Sequence, residues 1–301
     1  RDPCVLPKAC KTDKELAGMR AAHERDAVAM CEFLAWLEET APGDLTEIDV
    51  VTALEGFRRD TGALLDISFE TISGSGPNGA IVHYRASEES NRKLADGELL
   101  LIDSGGQYLD GTTDITRTLA IGAAPEAAQA AFTRVLQGMI AMSRARWPEG
   151  LSGRDLDALA RMPLWMAGQD YGHGTGHGVG AYLCVHEGPQ RLARTGMEKL
   201  REGMILSNEP GFYKEGAFGI RIENLMAVRK AAPLPEGTVK EMLDWETLTW
   251  VPIDRRLILA ERLTAEERDW LNQYHATCRH MLRPRLGKRA AMWLDAATAE
   301  I

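Results

Sequence analysis

No apolar run in this chain approaches the ~18 residues that a membrane-spanning helix requires, so no transmembrane segment and no membrane partner are expected. Cysteine pairing is missing too. The five cysteines (Cys4, Cys10, Cys31, Cys184, Cys278) are odd in number, scattered, and contain no CxxC pair. That excludes a disulfide framework and a zinc-thiolate site, and points to a reducing cytoplasm. Basic charge is in deficit, 35 Lys and Arg against 44 Asp and Glu, for a formal charge of −9. Phosphate contacts need the opposite balance, so nucleic acid is excluded as a partner. The opening Arg1-Asp2-Pro3-Cys4 has neither an initiator Met nor the basic head and apolar stretch of a signal peptide, and reads as part of something longer. What is present is ordinary for a globular protein: 301 residues, 45% apolar and 26% charged, enough for one large domain or two modest ones.

Punctuation along the chain predicts mixed helix and sheet. Thr12 and Glu15 form a capping box, and Met19, Met30, Phe33, Leu34 and Leu37 follow at near-helical spacing until Pro42-Gly43. A second box, Thr46 with Asp49, opens a helix carrying Ile48, Val51 and Leu54 that ends near Gly62. A strand is expected over 66–73, then a loop at 74–79, then strands over 99–108 and 113–121 joined by a turn at Asp110-Gly111. Pro125 suits a first helical position, with the helix running to Trp147, and a further helix follows Ser152. Strands recur at 204–209, 219–229 and 242–252, so each half places helices before strands. Thr264 with Glu267 caps a polar helix, and a last helix follows Arg283-Pro284-Arg285. The expected division is a body over 1–260 and a helical extension over 261–301.

Four segments carry residues able to do chemistry. Asp103 closes the apolar run Leu99-Leu100-Leu101-Ile102, and Asp114 sits in Thr112-Thr113-Asp114-Ile115-Thr116-Arg117. A carboxylate in such surroundings needs a partner, because burying a lone charge is costly. Taken alone, this pair is explained as well by a strand-end Asp and a turn Asp bonded to backbone amides. The run from Tyr171 to Gly180 places five glycines around His173 and His177, followed by His186-Glu187-Gly188-Pro189. Glycines there permit turns and close approaches that a side chain would block. A phosphate-cradling loop is the rival reading, but no Lys-Ser/Thr follows the glycines and no GxGxxG precedes a helix. Four of the seven histidines (His83, His173, His177, His186) lie in or beside glycine-rich stretches, which favours function over packing. The third segment is Ser207-Asn208-Glu209-Pro210-Gly211-Phe212-Tyr213. In the fourth, Gly219-Ile220-Arg221-Ile222-Glu223-Asn224, alternation puts Arg221 and Glu223 on one face. A surface ion pair would explain that alternation, though the strand continues apolar through Val228. Four carboxylates and one imidazole suit two hard or borderline cations such as Mn²⁺, Co²⁺ or Zn²⁺. Ions ~3.5–4 Å apart would make water nucleophilic at neutral pH and polarise a carbonyl.

With these residues assembled, the chain resembles the metal-dependent Xaa-Pro aminopeptidases (aminopeptidase P, peptidase family M24), above all the long three-domain cytosolic type. The resemblance rests on Gly76-Pro77-Asn78-Gly79 through His83-Tyr84, Ile102-Asp103-Ser104-Gly105, Asp110 to Thr118, the double-histidine glycine run, Val185 to Pro189, Asn208-Glu209-Pro210-Gly211 and Gly219 to Asn224. It reaches the tail at Leu248-Thr249-Trp250-Val251-Pro252-Ile253 and Trp270 to His275.

The resemblance implies an α+β pita-bread fold of two pseudo-symmetric helix and antiparallel-sheet halves. It implies a metal site of Asp103, Asp114, His177, Glu209 and Glu223 holding two divalent ions, manganese first, with zinc or cobalt as alternatives. Glu209 resembles the residue that also takes a proton from the attacking water. His83, His173 and His186 match catalytic pocket positions, and Arg221 and Tyr213 match substrate-binding or supporting ones. The implied reaction is hydrolysis of the N-terminal Xaa-Pro bond by a cytoplasmic homodimer, joined through the tail, acting on peptides with proline second. Prolidase or methionine aminopeptidase chemistry on the same fold, or a metal-free binding module, are the alternatives. Long members carry two further domains before this one, which help shape the substrate pocket.

Overall fold

Among the described residues, four of the seven α-helices start from the same reciprocal device. The Thr12 hydroxyl accepts the Glu15 N–H at 3.3 Å, while the Glu15 carboxylate accepts the Thr12 N–H at 2.8 Å. Thr46 with Asp49, Ser152 with Asp155 and Thr264 with Glu267 repeat it, satisfying N–H groups that the first turn leaves without partners. The protein is described by a computed structural model covering residues 2–239 and 241–301. Arg1, where the expected body begins, lies outside the described residues.

The first half contains α1 (Val5–Ala9), α2 (Asp13–Thr40) and α3 (Glu47–Asp60). Its strands are β1 (Asp66–Ile67), β2 (Ile72–Ser75), β3 (Leu99–Ser104), β4 (Gly106–Tyr108), β5 (Gly111–Thr112) and β6 (Ile115–Ala120). The second half contains α4 (Glu126–Ser143), β7 (Trp147–Pro148), α5 (Gly153–Trp165), β8 (Gly176–His177), β9 (Arg191–Leu192) and β10 (Ile205–Asn208). It continues with β11 (Gly211–Lys214), β12 (Phe218–Arg221), β13 (Asn224–Lys230) and β14 (Met242–Thr247), and α6 (Ala265–Leu282) and α7 (Lys288–Ala297) close the chain.

The two halves repeat one plan. In the first, α2 and α3 precede an antiparallel sheet ordered β2-β3-β6. In the second, α4 and α5 precede a sheet ordered β10-β13-β14-β7, and Gly178, just past β8, bridges Leu206 of β10. Phe132, Val135, Leu136, Met139 and Ile140 of α4 are fully buried, and each contributes roughly 1.5–3 kcal/mol of apolar burial. Leu271, Tyr274 and Cys278 of α6 enter that same core, so the tail packs into the body.

The halves meet where β6 touches the end of β12. The Thr118 hydroxyl donates to Arg221 O at 2.9 Å and accepts the Arg221 N–H at 3.1 Å, and the Glu223 N–H donates to Thr116 O at 3.1 Å. Buried Arg117 sits behind this junction, donating to the carbonyls of Glu223 at 2.7 Å, Val251 at 2.7 Å and Pro252 at 3.0 Å.

Several expected boundaries move. The strand expected over 66–73 is two short pieces, and that over 99–108 breaks at Gly105, sending β3 and β4 to different sheets. The helix expected to reach Trp147 stops at Ser143, because Trp147 pairs with Leu243 and packs its ring 4.6 Å from that of Trp245. The strand over 219–229 is interrupted at Ile222-Glu223, and that over 242–252 ends at Thr247.

Candidate metal centre

All five expected ligands, with His83, His173, His186 and Arg221, line one cavity of about 590 Å³. They arrive on separate elements. Asp103 is on β3, Asp114 between β5 and β6, His177 on β8, Glu209 just past β10, and Glu223 between β12 and β13. Glu223 is released from regular pairing by the break at Ile222-Glu223, and Asp114 because the strand expected over 113–121 begins only at Ile115. Ligand atoms of Asp114, His177 and Glu223 all lie within 4.8 Å of one another. His177 Nε2 is 3.4 Å from Asp114 Oδ2 and 3.5 Å from Glu209 Oε1. The His177 Nδ1–H donates to Gly178 O at 3.0 Å, which turns Nε2 towards the carboxylates as a metal-binding histidine requires. Close backbone contacts set this arrangement. A Cβ at Gly176 would meet Ser207 O at 1.8 Å, and one at Gly178 would meet Glu187 O at 2.0 Å.

The electrostatics test whether cations belong here. Burial pushes the Asp114 carboxyl up to about 6 and that of Glu209 up to about 7. Glu223 is raised well above the usual range by burial, then by the charges of Asp114, Glu209 and Asp103. Burial opposes charge on His177, but the Asp114 hydrogen bond and the Glu209 charge raise it to about 9. Without cations, protons must neutralise this cluster. Asp103 adds to the case, since Oδ2 accepts from Arg221 Nη2 at 2.6 Å while Oδ1 is buried without a partner. An oxygen-rich set with one imidazole and an unmatched buried oxygen fits divalent ions.

Arg221, Tyr213 and His173 form a chain of hydrogen bonds. Arg221 Nη1 donates to the Tyr213 hydroxyl at 2.7 Å, and Tyr213 Oη lies 2.9 Å from His173 Nε2. His173 Nδ1–H donates to Gly174 O at 2.7 Å, so Nε2 accepts from Tyr213. Burial lowers the His173 pKa to about 4, keeping the ring neutral. His186 is lowered by burial and by His177, whose ring lies edge-on at 4.2 Å. Tyr213 does not line the cavity, and acts on it through His173 and Arg221.

Sequence reasoning missed a supporting layer. Ser207 Oγ accepts the His177 N–H at 2.9 Å and donates to Glu209 Oε1 at 3.0 Å. Thr116 Oγ donates to Glu223 Oε2 at 2.8 Å and accepts from Arg221 Nε at 3.1 Å. Both lie inside the motifs already singled out, and that adjacency was the available signal. Asp157 and Arg161 on α5 had none, being an ordinary i, i+4 charge pair in sequence. Arg161 donates to Asp157, to Tyr171 O at 2.9 Å and to His173 O at 2.6 Å, while Asp157 accepts from Thr175 at 2.6 Å. Buried Lys11 donates to Glu187 Oε1 at 2.7 Å, tying the start of the chain to the His186 loop.

The family described as metallopeptidase family M24 matches residues 17–230, and the C-terminal region of peptidase M24 matches residues 241–301. Aminopeptidase P2 of Arabidopsis thaliana is 48% identical over 299 residues, covering 98% of this chain and 42% of the relative. The crystal structure of X-prolyl aminopeptidase from Caenorhabditis elegans, described as a cytosolic enzyme with a di-nuclear active site, superposes with a TM-score of 0.94 at 39% identity. It covers 100% of this chain and 50% of the other. Xaa-Pro dipeptidase from Bacillus anthracis superposes with a TM-score of 0.70 at 30% identity, over 85% of this chain and 66% of the other. The chain spans about half the length of the curated relatives it matches.

Proposed function

The chain belongs to metallopeptidase family M24, and from that membership we propose that it removes the first residue from peptides whose second residue is proline. The carrying observation is the gathering of Asp103, Asp114, His177, Glu209 and Glu223 with three further histidines around one cavity. We assign those five residues to two divalent ions, manganese first. The bound ions would polarise the scissile carbonyl and lower the pKa of water towards ~7.

The chain's own groups do the rest. Glu209 accepts the proton of the attacking water, with Ser207 holding its Oε1. Neutral His173, aligned by Tyr213, offers no competing charge to the ions. His83 and His186 line the same cavity, where they contact the substrate and the oxygen that gains charge. Arg221 holds Asp103 in place through its 2.6 Å contact. Proline has no N–H and a fixed φ, so such bonds fit poorly into sites that require an extended hydrogen-bonded strand. Residues 1–260 form the catalytic body and 261–301 a helical extension, whose Tyr274 hydroxyl accepts from Arg117 at 3.0 Å.

We further propose a cytoplasmic homodimer. All five cysteines are free, which suits a reducing compartment, and no helix among the described residues is long and apolar enough to cross a membrane. Along α5 and just beyond it, Leu159, Met162, Trp165 and Met166 are exposed, whereas the extension exposes one large apolar side chain, Met292, among the described residues. This supports an α5 contact over one through the tail.

The test is release of the first residue from an Arg-Pro-Pro peptide with added Mn²⁺, and again after chelation, beside an Arg-Ala-Ala control. Cleavage that needs both proline and metal is expected. Cleavage restricted to Xaa-Pro dipeptides would make the chain a prolidase, and cleavage of Met-initiated peptides alone a methionine aminopeptidase.

A further inference from the structure

His83 reaches the cavity from the excursion between β2 and β3, yet its imidazole makes no hydrogen bond to the protein among the described residues. It shares that cavity with His173 and His186. The orientation of this ring is therefore set by the backbone that carries it. Several anchors of that backbone lead to one carboxylate outside the cavity.

Glu47, the first residue of α3, is completely buried. Its Oε1 accepts the Ser75 N–H at 2.7 Å, and its Oε2 accepts the Tyr84 hydroxyl at 2.7 Å and the Arg92 N–H at 3.0 Å. The Asn78 amide donates to Oε1 at 3.1 Å and to Oε2 at 3.0 Å, and to the Tyr84 hydroxyl at 2.8 Å. The end of β2 at Ser75, the turn at Asn78, the residue following His83 and, further along, Arg92 thus converge on one side chain. Among the described residues, no cationic side chain donates to it. Four neutral donors, together with the positive end of α3, offset its desolvation. The opposite side of the excursion is pressed against β12, where a Cβ at Gly219 would meet Gly79 O at 1.7 Å. The segment is clamped between these two supports, with His83 beside the clamp.

We propose that Glu47 and Tyr84 are positioning residues that aim His83 at the substrate by fixing the 75–84 excursion. This rests on the peptidase reading above, and it adds two residues outside the cavity lining, Glu47 on α3 and Tyr84 in the excursion. A 1 Å displacement of a group that contacts the reacting centre is enough to cost up to ~100-fold in rate. The Tyr84 hydroxyl is the sensitive handle, because removing it leaves the buried ring in place.

The experiment compares Tyr84→Phe, Glu47→Gln, His83→Ala and the double variant His83→Ala/Tyr84→Phe with the unaltered, manganese-loaded chain on an Arg-Pro-Pro peptide. Tyr84→Phe should lower kcat/KM by about 10-fold, with metal content unchanged. In the His83→Ala background the same change should have no further effect, since a lost aim matters only while the ring is there. An equal loss in both backgrounds would show a general structural role and overturn the proposal, as would unchanged kinetics in Tyr84→Phe. Glu47→Gln sits at the centre of the clamp and risks misfolding, so the decision does not depend on it. Amide hydrogen exchange supplies a readout independent of turnover. The N–H groups of Ile81 and Tyr84, bonded to Asn78 O and Ile81 O, should lose protection in Tyr84→Phe while β3 keeps its own. If the unaltered chain cleaves no Xaa-Pro peptide, the peptidase reading falls, and exchange alone decides whether the clamp holds the excursion: unchanged protection overturns it.

Discussion

Glu209 carries the sharpest single-residue prediction. It sits just past β10 with Oε1 held by Ser207, and Glu209→Gln keeps its shape while deleting the proton acceptor. Turnover should fall by about 10²–10⁴-fold, the usual contribution of general base catalysis, with the thermal midpoint and circular dichroism little changed. Rates near those of the unaltered chain would remove Glu209 from that role. The pocket histidines illustrate how identical side chains acquire different properties from surroundings. Burial drives His173 down to about 4, while Asp114 and Glu209 hold His177 up at about 9. The first is therefore a neutral acceptor, and the second loses a proton when a cation replaces it.

At the scale of elements, α5 acts as a brace for the glycine-histidine loop. Arg161 and Asp157, both almost completely buried, take the carbonyls of Tyr171 and His173 and the Thr175 hydroxyl. Arg161→Met would leave Asp157 uncompensated and free the loop. Stability should drop by roughly 3–5 kcal/mol, read by urea unfolding, and metal affinity by about 10–100-fold, read by calorimetric titration. A stability loss with unchanged metal affinity would mean the brace serves the core alone. The exposed face of α5 gives a second prediction. Met162→Glu with Met166→Glu should convert a dimer to a monomer in light scattering, and a dimer that survives both changes would place the contact elsewhere.

Across the whole molecule, metal binding and folding are coupled. In the metal-free chain, Asp114 and Glu209 have pKa values raised above those of an unfolded chain, and so does His177. The native state then binds more protons than the unfolded one, so these groups make stability fall as pH rises through about 4–9. Cations compete with those protons and bind better as pH rises. Manganese at about 100 times its Kd should add roughly 2.7 kcal/mol, and the gain in thermal midpoint over a chelated sample should widen from about pH 6 to pH 8. A gain constant across that range would show that the titrating cluster is not where the metal binds.

Read alone, the sequence determined the helix starts at Thr12, Thr46 and Thr264, because a capping box is a local pattern complete within four residues. It also singled out Asp103, Asp114, His177, Glu209 and Glu223, which the fold gathers around one cavity, because together they lie in short motifs rich in glycine and ligand-type side chains; Glu70, Arg85 and Arg191, which line the same cavity, carried no such signal. It did not determine where strands break. Trp147 leaves α4 for a sheet because Trp245 is there to cover it, and nothing within ten residues of Trp147 announces that partner. The braces were hidden for the same reason. Glu47, Asp157, Arg161 and Lys11 are unremarkable in sequence, and they gain their roles from residues 28–176 positions away, or from a helix laid against a loop. Local chemistry is written in adjacent residues, whereas the aim of each side chain depends on long-range contacts that only the folded chain brings together.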